Sequence, residues 1–304
     1  MTRTVTNVAA SVRQRLLNEA KRRGASFDYI ASLYARERFL ARLSVSTHRA
    51  RLILKGATVF ALWLDAHRPT RDLDFLGSGN FAPDHATVVI RDIISVVIEN
   101  DGLKFDAGSV TAELIREPDE YHGVRVRLEA TLDTARIRLQ IDIGLGDVVT
   151  PPARSATLPS ILDDFSKARV KVYPPETIVS EKLHAMVKLG IANSRMKDFF
   201  DVYALASGLE FEEGLLATAI ARTFERRKTA IPEEPFALTP EFYSDRGKQT
   251  QWRAFLTKSG VVAPQAFSEV GDVLRTFLSL VLASARNGLT RKHRWRGGAW
   301  RNVH

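Results

Sequence analysis

The chain has 304 residues, of which 45% are hydrophobic and 26% charged, and this balance is typical of globular proteins rather than disordered ones. The absence of cysteine excludes disulfides and thiolate metal sites, and without an apolar run of membrane-spanning length or a secretory signal we expect a soluble, cytoplasmic protein with no membrane partner. The formal net charge of +9 favours a polyanionic partner such as a nucleotide or nucleic acid.

Hydrophobic periodicity predicts that the first part of the chain contains both helices and strands. In chain order we expect helices over 9–23 and 27–43, a short apolar run at 52–54, a helical turn or two over 58–64, a strand over 70–75, a helix over 85–99 and a β-meander over 103–143. Prolines at 151, 152 and 159 mark a connecting region, and beyond Pro175 the pattern is helical throughout. The predicted helices there cover 176–189, 196–207, 212–227 and 265–286. We therefore predict an α+β chain, with an α/β lobe over 1–170 and an all-α lobe over 171–304 that ends in a basic tail.

Two acids, Asp72 and Asp74, lie two residues apart in the predicted strand 70–75. Side chains alternate along a strand, so both carboxylates point the same way while Leu73 and Phe75 point into a core. Neighbouring carboxylates repel each other unless a cation lies between them, and oxygen ligands suit Mg²⁺. The pair therefore indicates a metal site, although a strand with one polar face would show the same pattern.

A third acid strengthens the metal hypothesis. Asp142 lies on the polar face of the strand that ends the predicted meander, where it could converge with Asp72 and Asp74. Two metal ions held by three such acids would clamp the attacking and leaving oxygens of a phosphoryl displacement. We expect Asp147, a few residues later, to cap a helix or turn rather than to bind metal.

The Lys55-Gly56 pair precedes the acids by the length of a short helix. A glycine that opens a helix lets backbone N–H groups approach a triphosphate, and the helix dipole favours the negative charge. The pair is a weak signal by itself, and we assign it to nucleotide binding only in combination with the acids.

The motifs together resemble a known family. L-K-G-A-T, R-P-T-R-D-L-D-F, I-D-I-G-L-G-D, S-E-K-L-H-A and R-M-K-D-F-F-D-V-Y occur in this order from Leu54 to Tyr203. This combination resembles the AbiEii/AbiGii toxins, nucleotidyltransferase-like proteins of toxin–antitoxin and phage-defence systems that include mycobacterial tRNA nucleotidyltransferase-like toxins. One departure is Ala57, where the superfamily usually has a second glycine or a serine; alanine is small enough to leave the turn intact.

The resemblance implies a DNA polymerase β-like nucleotidyltransferase lobe with Asp72 and Asp74 as metal ligands. It also implies roles for residues further along the chain. Lys182 would contact the triphosphate across a cleft between the lobes, although a lysine at the rim of an apolar helix face commonly just extends to solvent. Asp198 would act as a catalytic base or metal helper. The supporting residues are Asp201 and Arg195, which could also form only a salt-bridge cluster. Thr70 and Arg71 immediately precede the metal pair and are assigned to nucleotide binding; Thr70 could touch a phosphate or simply suit a strand.

The C-terminus is a separate candidate for RNA binding. From Arg286 onward there are six Lys or Arg residues and no acid, with Trp295 and Trp300 among them. Cations interleaved with aromatics suit a surface that tracks phosphates and stacks bases. The residues expected to bind RNA are Arg291, Lys292, Arg294 and Arg296. The alternative is a solvated tail that its tryptophans anchor.

The expected function is that of a toxin that uses Mg²⁺ or Mn²⁺ to move an NMP from an NTP to an RNA acceptor. The resemblance makes the tRNA 3′ end the expected acceptor, so that translation and growth stop, and a cognate antitoxin the expected protein partner. Two alternatives stay open: a nucleotide- or RNA-binding module without transfer activity, and a nucleotidyltransferase that modifies a protein or a small molecule.

Overall fold

The computed structural model describes residues 7–64, 69–70, 72–115, 123–288 and 292–303, and the chain forms two compact units. The first unit comprises Met1–Leu62, Thr70–Gly146 and Arg154–Val172. The second comprises Trp63–Pro69, Asp147–Ala153 and Tyr173–His304. Among the residues described, no helix combines the length and the apolar character that crossing a membrane requires.

The first unit mixes helices and strands as the sequence predicts. Its elements are α1 (Val8–Arg23), α2 (Phe27–Val45), β1 (Leu52–Lys55), a 3-10 helix (Gly56–Leu62), β2 (Asp72–Gly77), α3 (Pro83–Ser95), β3 (Leu103–Ile115), β4 (Gly123–Leu132), β5 (Ala135–Leu145), β6 (Arg154–Thr157) and β7 (Arg169–Val172). The predicted bounds of the helix over 85–99 are wrong at both ends. It begins at Pro83, whose fixed φ suits a first helical position, and it ends before Val96, which has an extended backbone.

The strands form one mixed seven-stranded sheet in the order β3-β4-β5-β2-β1-β7-β6. The pairs β2–β5 and β1–β7 are parallel, and β1–β2, β3–β4, β4–β5 and β6–β7 are antiparallel. Strand β2 therefore lies in the middle of the sheet between β5 and β1. Asp74 has a paired residue on each of these neighbours, and Asp72 has one on β5.

The two faces of β2 differ as the alternation predicts. Leu73 and Phe75 are fully buried, whereas Asp72 and Asp74 on the other face are half-buried. Helix α2 covers the apolar face, where the ring of Phe39 contacts that of Phe75 at 6.5 Å between centroids. Burying such aromatic side chains fixes the strand and so leaves the two carboxylates in defined positions on the opposite face.

The second unit is mostly helical. Its elements are α4 (Pro175–Leu189), a 3-10 turn (Gly190–Ala192), α5 (Met196–Gly208), β8 (Phe211–Glu212), α6 (Glu213–Arg226), a 3-10 turn (Phe236–Leu238), α7 (Pro240–Ser244), α8 (Arg246–Ser259), α9 (Phe267–Asn287), β9 (His293–Arg296) and β10 (Ala299–Asn302). The predicted elements omit α7 and α8, where the helices are short or polar.

The prediction of an all-α second lobe is wrong, because β8, β9 and β10 form a three-stranded antiparallel sheet in the order β10-β9-β8. Trp295 of β9 is fully buried, and its indole N–H donates to the carbonyl of Ala206 at 2.6 Å. Trp300 of β10 stacks on Phe277 at 5.9 Å and donates to that residue's carbonyl at 2.9 Å. The tryptophans therefore serve the core of this unit, and the alternation of arginine and tryptophan is a strand pattern.

Candidate active site

Four charged side chains form a row across the sheet of the first unit. The register places Lys55 of β1 opposite Asp74 of β2, Asp74 beside Asp142 of β5, and Asp142 opposite Arg125 of β4. Side chains at paired positions of neighbouring strands project from the same face. We call Lys55, Asp74, Asp142 and Arg125 the charged row; in it two carboxylates lie between two cations.

Gly56 leaves room for the carboxylate of Asp74. The glycine opens the 3-10 helix with φ +70°, a conformation that side chains disfavour, and a methyl group added there would lie 2.2 Å from Asp74 Oδ2. The Lys55-Gly56 pair and the D-L-D motif are far apart in sequence, yet they form one site. Gly144 of β5 lies beside the lysine, where a methyl group would be in ordinary van der Waals contact with Lys55 Nζ at 3.4 Å.

Arg125 holds the third acid of the predicted metal trio. Its Nε donates to Asp142 Oδ1 at 2.9 Å and its Nη2 to Oδ2 at 2.7 Å, which is the two-point geometry of a strong guanidinium–carboxylate pair. Gln140 adds a longer contact to Oδ2 at 3.4 Å. The hydrogen bond to Asp142 raises the pKa of Arg125. Asp142 thus lies beside Asp74, as the prediction requires, but both its oxygens are already engaged.

Asp72 lies one strand repeat before Asp74, at the position paired with Gln140. Its carboxylate is close enough to two guanidinium groups to act on their protonation. It helps to raise the pKa of Arg125. It also opposes the burial that lowers the pKa of Arg36 on α2, a side chain whose two terminal nitrogens find no hydrogen-bond partner among the described residues.

Asp72 and Asp74 fit a divalent metal of the Mg²⁺ or Mn²⁺ type. Such ions take oxygen ligands, and Mg²⁺ is commonly held by one or two carboxylates while substrate phosphates and water complete its coordination. Among the described residues, no group of three or more Asp, Glu or His side chains is arranged to hold a metal ion. The donor set therefore suits an ion shared with a triphosphate better than an ion enclosed by the protein alone.

Thr70 and Arg71 are the other predicted nucleotide-binding residues of the first unit. The hydroxyl of Thr70 lies 3.5 Å from the carbonyl of Asp72, at the limit of a hydrogen bond. Arg71 lies outside the described residues. Their assignment to phosphate remains a prediction that rests on the family resemblance.

Lys182 lies between two aspartates in the second unit. Its Nζ is 2.8 Å from Asp198 Oδ1 and 2.7 Å from Asp201 Oδ2, so α4 and α5 are joined by what we call the Lys182 cluster. Lys182 is 15% exposed and Asp201 only 1%. Burial by itself would raise the pKa of Asp198, but the Lys182 ammonium outweighs it and the pKa is lowered. With one ammonium and two carboxylates, the Lys182 cluster has a formal net charge of −1, and both carboxylates are oriented around the ammonium.

Arg195 and Asp147 are two further charged residues of the second unit for which the sequence predicts a role. The side chain of Arg195, the residue just before α5, is exposed, and its charge contributes to the low pKa of Asp198. Asp147, expected to cap a helix or turn, follows β5 and precedes no helix directly. Its Oδ1 accepts hydrogen bonds from Arg227 Nη2 at 2.9 Å and Nε at 3.2 Å. The partner lies 80 positions later in the chain, so the local sequence could not indicate it.

The four predicted RNA-binding residues of the tail are only partly available. Arg294 pairs with Glu212 at 2.8 Å and Arg296 with Glu210 at 3.0 Å, so their charges are compensated on the protein itself. Lys292 is exposed, and Arg291 lies outside the described residues. Trp295 is fully buried and the half-buried Trp300 already stacks on Phe277, so these rings are occupied by contacts within the unit.

Arg125 is a site residue that the sequence-based prediction missed. The signal was present in the hairpin of β4 and β5, where Leu132 pairs with Ala135 across the two-residue turn Asp133-Thr134. Counting seven residues back and seven forward from this pair places Arg125 opposite Asp142. The turn of a hairpin fixes the register of its strands, so a prediction of this two-residue turn would also have predicted the ion pair.

Three comparisons with known proteins complete the picture. The family model described as "Nucleotidyl transferase AbiEii toxin, Type IV TA system" matches residues 38–273, more than three quarters of the chain. No curated protein sequence matches. Among solved structures, JHP933 from Helicobacter pylori is 13% identical with a TM-score of 0.42, over 83% of this chain and 89% of that chain. A Helicobacter pylori protein described as a nucleotidyltransferase is 13% identical with a TM-score of 0.41, over 83% and 92%. TM-scores below 0.5 are too low to establish a shared fold.

Proposed function

Because this chain belongs to the AbiEii nucleotidyl transferase toxin family of type IV toxin–antitoxin systems, we propose that it transfers an NMP from an NTP to the 3′ end of tRNA. The acceptor hydroxyl attacks the α-phosphorus, a P–O bond forms to the acceptor, and pyrophosphate leaves. A tRNA modified in this way no longer supports translation, so growth stops. Such a target places the action of the toxin in the cytoplasm, where a cognate antitoxin restrains it.

One observation of the structure supports the site most directly: the carboxylate of Asp74 lies over Gly56. The K-G and D-L-D motifs of the family therefore meet, with Asp74 Oδ2 only 2.2 Å from where a Gly56 side chain would begin. A backbone that is free of a side chain at this point can approach a phosphate, and the adjacent Lys55 supplies positive charge. This arrangement supports a first lobe that works like the DNA polymerase β-like nucleotidyltransferases.

The residues of the charged row, together with Asp72, differ in role according to their chemistry. Asp72 and Asp74 would hold the divalent cation, Mg²⁺ or Mn²⁺, which when bound neutralises charge on the triphosphate. Lys55, packed over Gly144, offers an ammonium to phosphate oxygens. Arg125 keeps the Asp142 carboxylate oriented at the edge of this site, so we assign Asp142 a positioning role rather than that of an equal metal ligand.

In the second unit, the family resemblance assigns nucleotide contact to Lys182 and a catalytic role to Asp198, and we keep both as proposals. The two carboxylates around Lys182 hold its ammonium in place. Asp201, the most buried of the three, is suited to orient the lysine. Membership of the family favours transfer over the alternative of a module that only binds nucleotide or RNA.

The test is a transfer assay with purified protein, unfractionated bacterial tRNA, Mg²⁺ or Mn²⁺, and each of the four labelled NTPs in turn. We expect label on tRNA with at least one NTP and its loss in Asp72→Asn. This variant should melt at the wild-type temperature, because the side chain is half-buried on the polar face. Label on a protein or small molecule from a cell extract, with none on tRNA, would overturn the proposed acceptor. Full activity of folded Asp72→Asn would overturn the proposed site.

A further inference from the structure

Two stretches of the second unit contain cations and no acid. From Lys182 to Lys197 the sequence has no Asp or Glu, and from Arg246 to Ser268 it again has none. The two stretches touch in the structure. Lys248 Nζ donates to the carbonyl of Asn193 at 2.8 Å. The ring of Phe255 on α8 contacts that of Phe200 on α5, three residues after the first stretch ends, at 5.7 Å. The two stretches therefore pack against each other, and the first of them begins at Lys182 and ends one residue before Asp198.

Five exposed cations belong to these two stretches and form no ion pair with the described residues. Arg195, Lys197, Arg246, Arg253 and Lys258 are exposed, and none forms an ion pair with any residue that the structure describes. We call these five residues the basic face. They differ from the tail arginines Arg294 and Arg296, which glutamates compensate. The acid that borders α8, Asp245, uses a side-chain oxygen to cap the helix through the Lys248 amide at 2.9 Å.

The residues between the cations are small or neutral. Helix α8 buries Lys248, Trp252 and Leu256 on one side. Its exposed side carries Arg246 and Arg253, two turns and about 10 Å apart at the helical rise, with exposed glycine, alanine, threonine and glutamine between and beside them. The members of this neutral group are Gly247, Thr250, Gln251, Ala254 and Thr257. A protein interface of high affinity would need apolar or aromatic anchors here, whereas a sugar–phosphate backbone needs cations and close approach.

We propose that the basic face binds the phosphate backbone of the RNA acceptor and leads it to the Lys182 cluster. This inference rests on the proposed function, and it names the surface through which the enzyme would bind its RNA substrate. It replaces the C-terminal tail as the main RNA-binding surface. Arg195 and Lys197 lie at the start of α5, three and one residues before Asp198, so an RNA strand along α8 would arrive at the cluster from this side.

The experiment measures binding of end-labelled, unfractionated bacterial tRNA at several salt concentrations, without NTP. The variant Arg246→Gln/Arg253→Gln/Lys258→Gln removes three charges of the basic face. The matched control, Lys21→Gln/Lys104→Gln/Arg154→Gln, removes three exposed cations of the first unit that form no ion pair with the described residues. Each lost phosphate contact lowers the slope of log K against log [salt] by roughly 0.7–0.9, so three contacts lower it by about 2 and weaken binding about 100-fold at 0.1 M salt.

We expect this loss in the α8 variant, near-wild-type binding in the control, and recovery of the slope in the charge-conserving Arg246→Lys/Arg253→Lys. Circular dichroism melting verifies that each variant folds. An unchanged slope in a folded α8 variant, or an equal loss in the control, would overturn the inference. The binding readout is independent of transfer, so tRNA that binds through the basic face without receiving label would refute the proposed reaction and not this surface.

Discussion

Replacing Gly56 with alanine should separate the catalytic geometry from the stability of the fold. The new methyl group would lie 2.2 Å from Asp74 Oδ2, whereas ordinary van der Waals contact begins at 3.4 Å. The carboxylate would therefore have to retreat by about 1.2 Å, the difference between these two distances. A misplacement of about 1 Å at a reacting centre can cost about 100-fold in rate, so we expect kcat/KM for transfer to fall at least that far.

The chain offers a matched control in Gly24, which ends α1. Its φ of +62° is close to the +70° of Gly56, but nothing lies within 4 Å of an added methyl group. Alanine at a positive φ costs about 1–2 kcal/mol, partly offset by the lower entropy of the unfolded chain. Gly24→Ala should thus lose about 1 kcal/mol of unfolding free energy, and Gly56→Ala should lose more because of the clash with Asp74. Only Gly56→Ala should lose transfer.

The assay combines urea denaturation of both variants with steady-state transfer of label from an NTP to tRNA. Gly56→Ala with kcat/KM within about threefold of Gly24→Ala would refute the idea that Asp74 must occupy the space over the glycine. A loss of transfer in Gly24→Ala as large as that in Gly56→Ala would refute it as well, because backbone strain alone would then explain the effect.

Three further predictions concern the first-unit ion pair, a buried acid and the tail. A double-mutant cycle of Arg125→Gln and Asp142→Asn in urea denaturation should give an interaction free energy of about 1 kcal/mol, since the two side chains are 32% and 19% exposed. Additive effects of the two substitutions would show that the ion pair does not contribute to stability. Burial raises the pKa of Glu37 from 4.5 to about 7, so the contribution of its neutral carboxyl group to stability is full below pH 4.5 and is lost as the pH rises through 7. Between pH 5 and 8 the wild type should therefore lose about 2 kcal/mol of unfolding free energy relative to Glu37→Gln. A pH-independent difference between the two proteins in urea denaturation would contradict this. Trp295→Ala should cost about 3–5 kcal/mol in urea denaturation because the indole is fully buried, and a cost below about 1 kcal/mol would mean that the tail is not part of the core.

The sequence by itself determined the elements whose signal is local. Alternation along residues 72–75 separates Leu73 and Phe75 from the two aspartates without knowledge of any partner strand. The helices α1, α2, α4, α5, α6 and α9 follow from a repeated apolar stripe, and Gly24 in a left-handed conformation ends the first of them. The order of the K-G, D-L-D and later motifs sufficed to indicate the family, whose model matches most of the chain.

Only the tertiary structure decided which charges meet. Whether Asp142 is free or held depends on its cross-strand partner Arg125, and whether Asp147 caps a helix depends on Arg227, 80 positions away. The tail shows the same limit, because one run of arginine and tryptophan serves either as a solvated RNA-binding segment or as two strands of a core sheet. Charge pairing and burial are properties of distance in space, and a residue's type carries no record of what the fold places within about 3 Å of it.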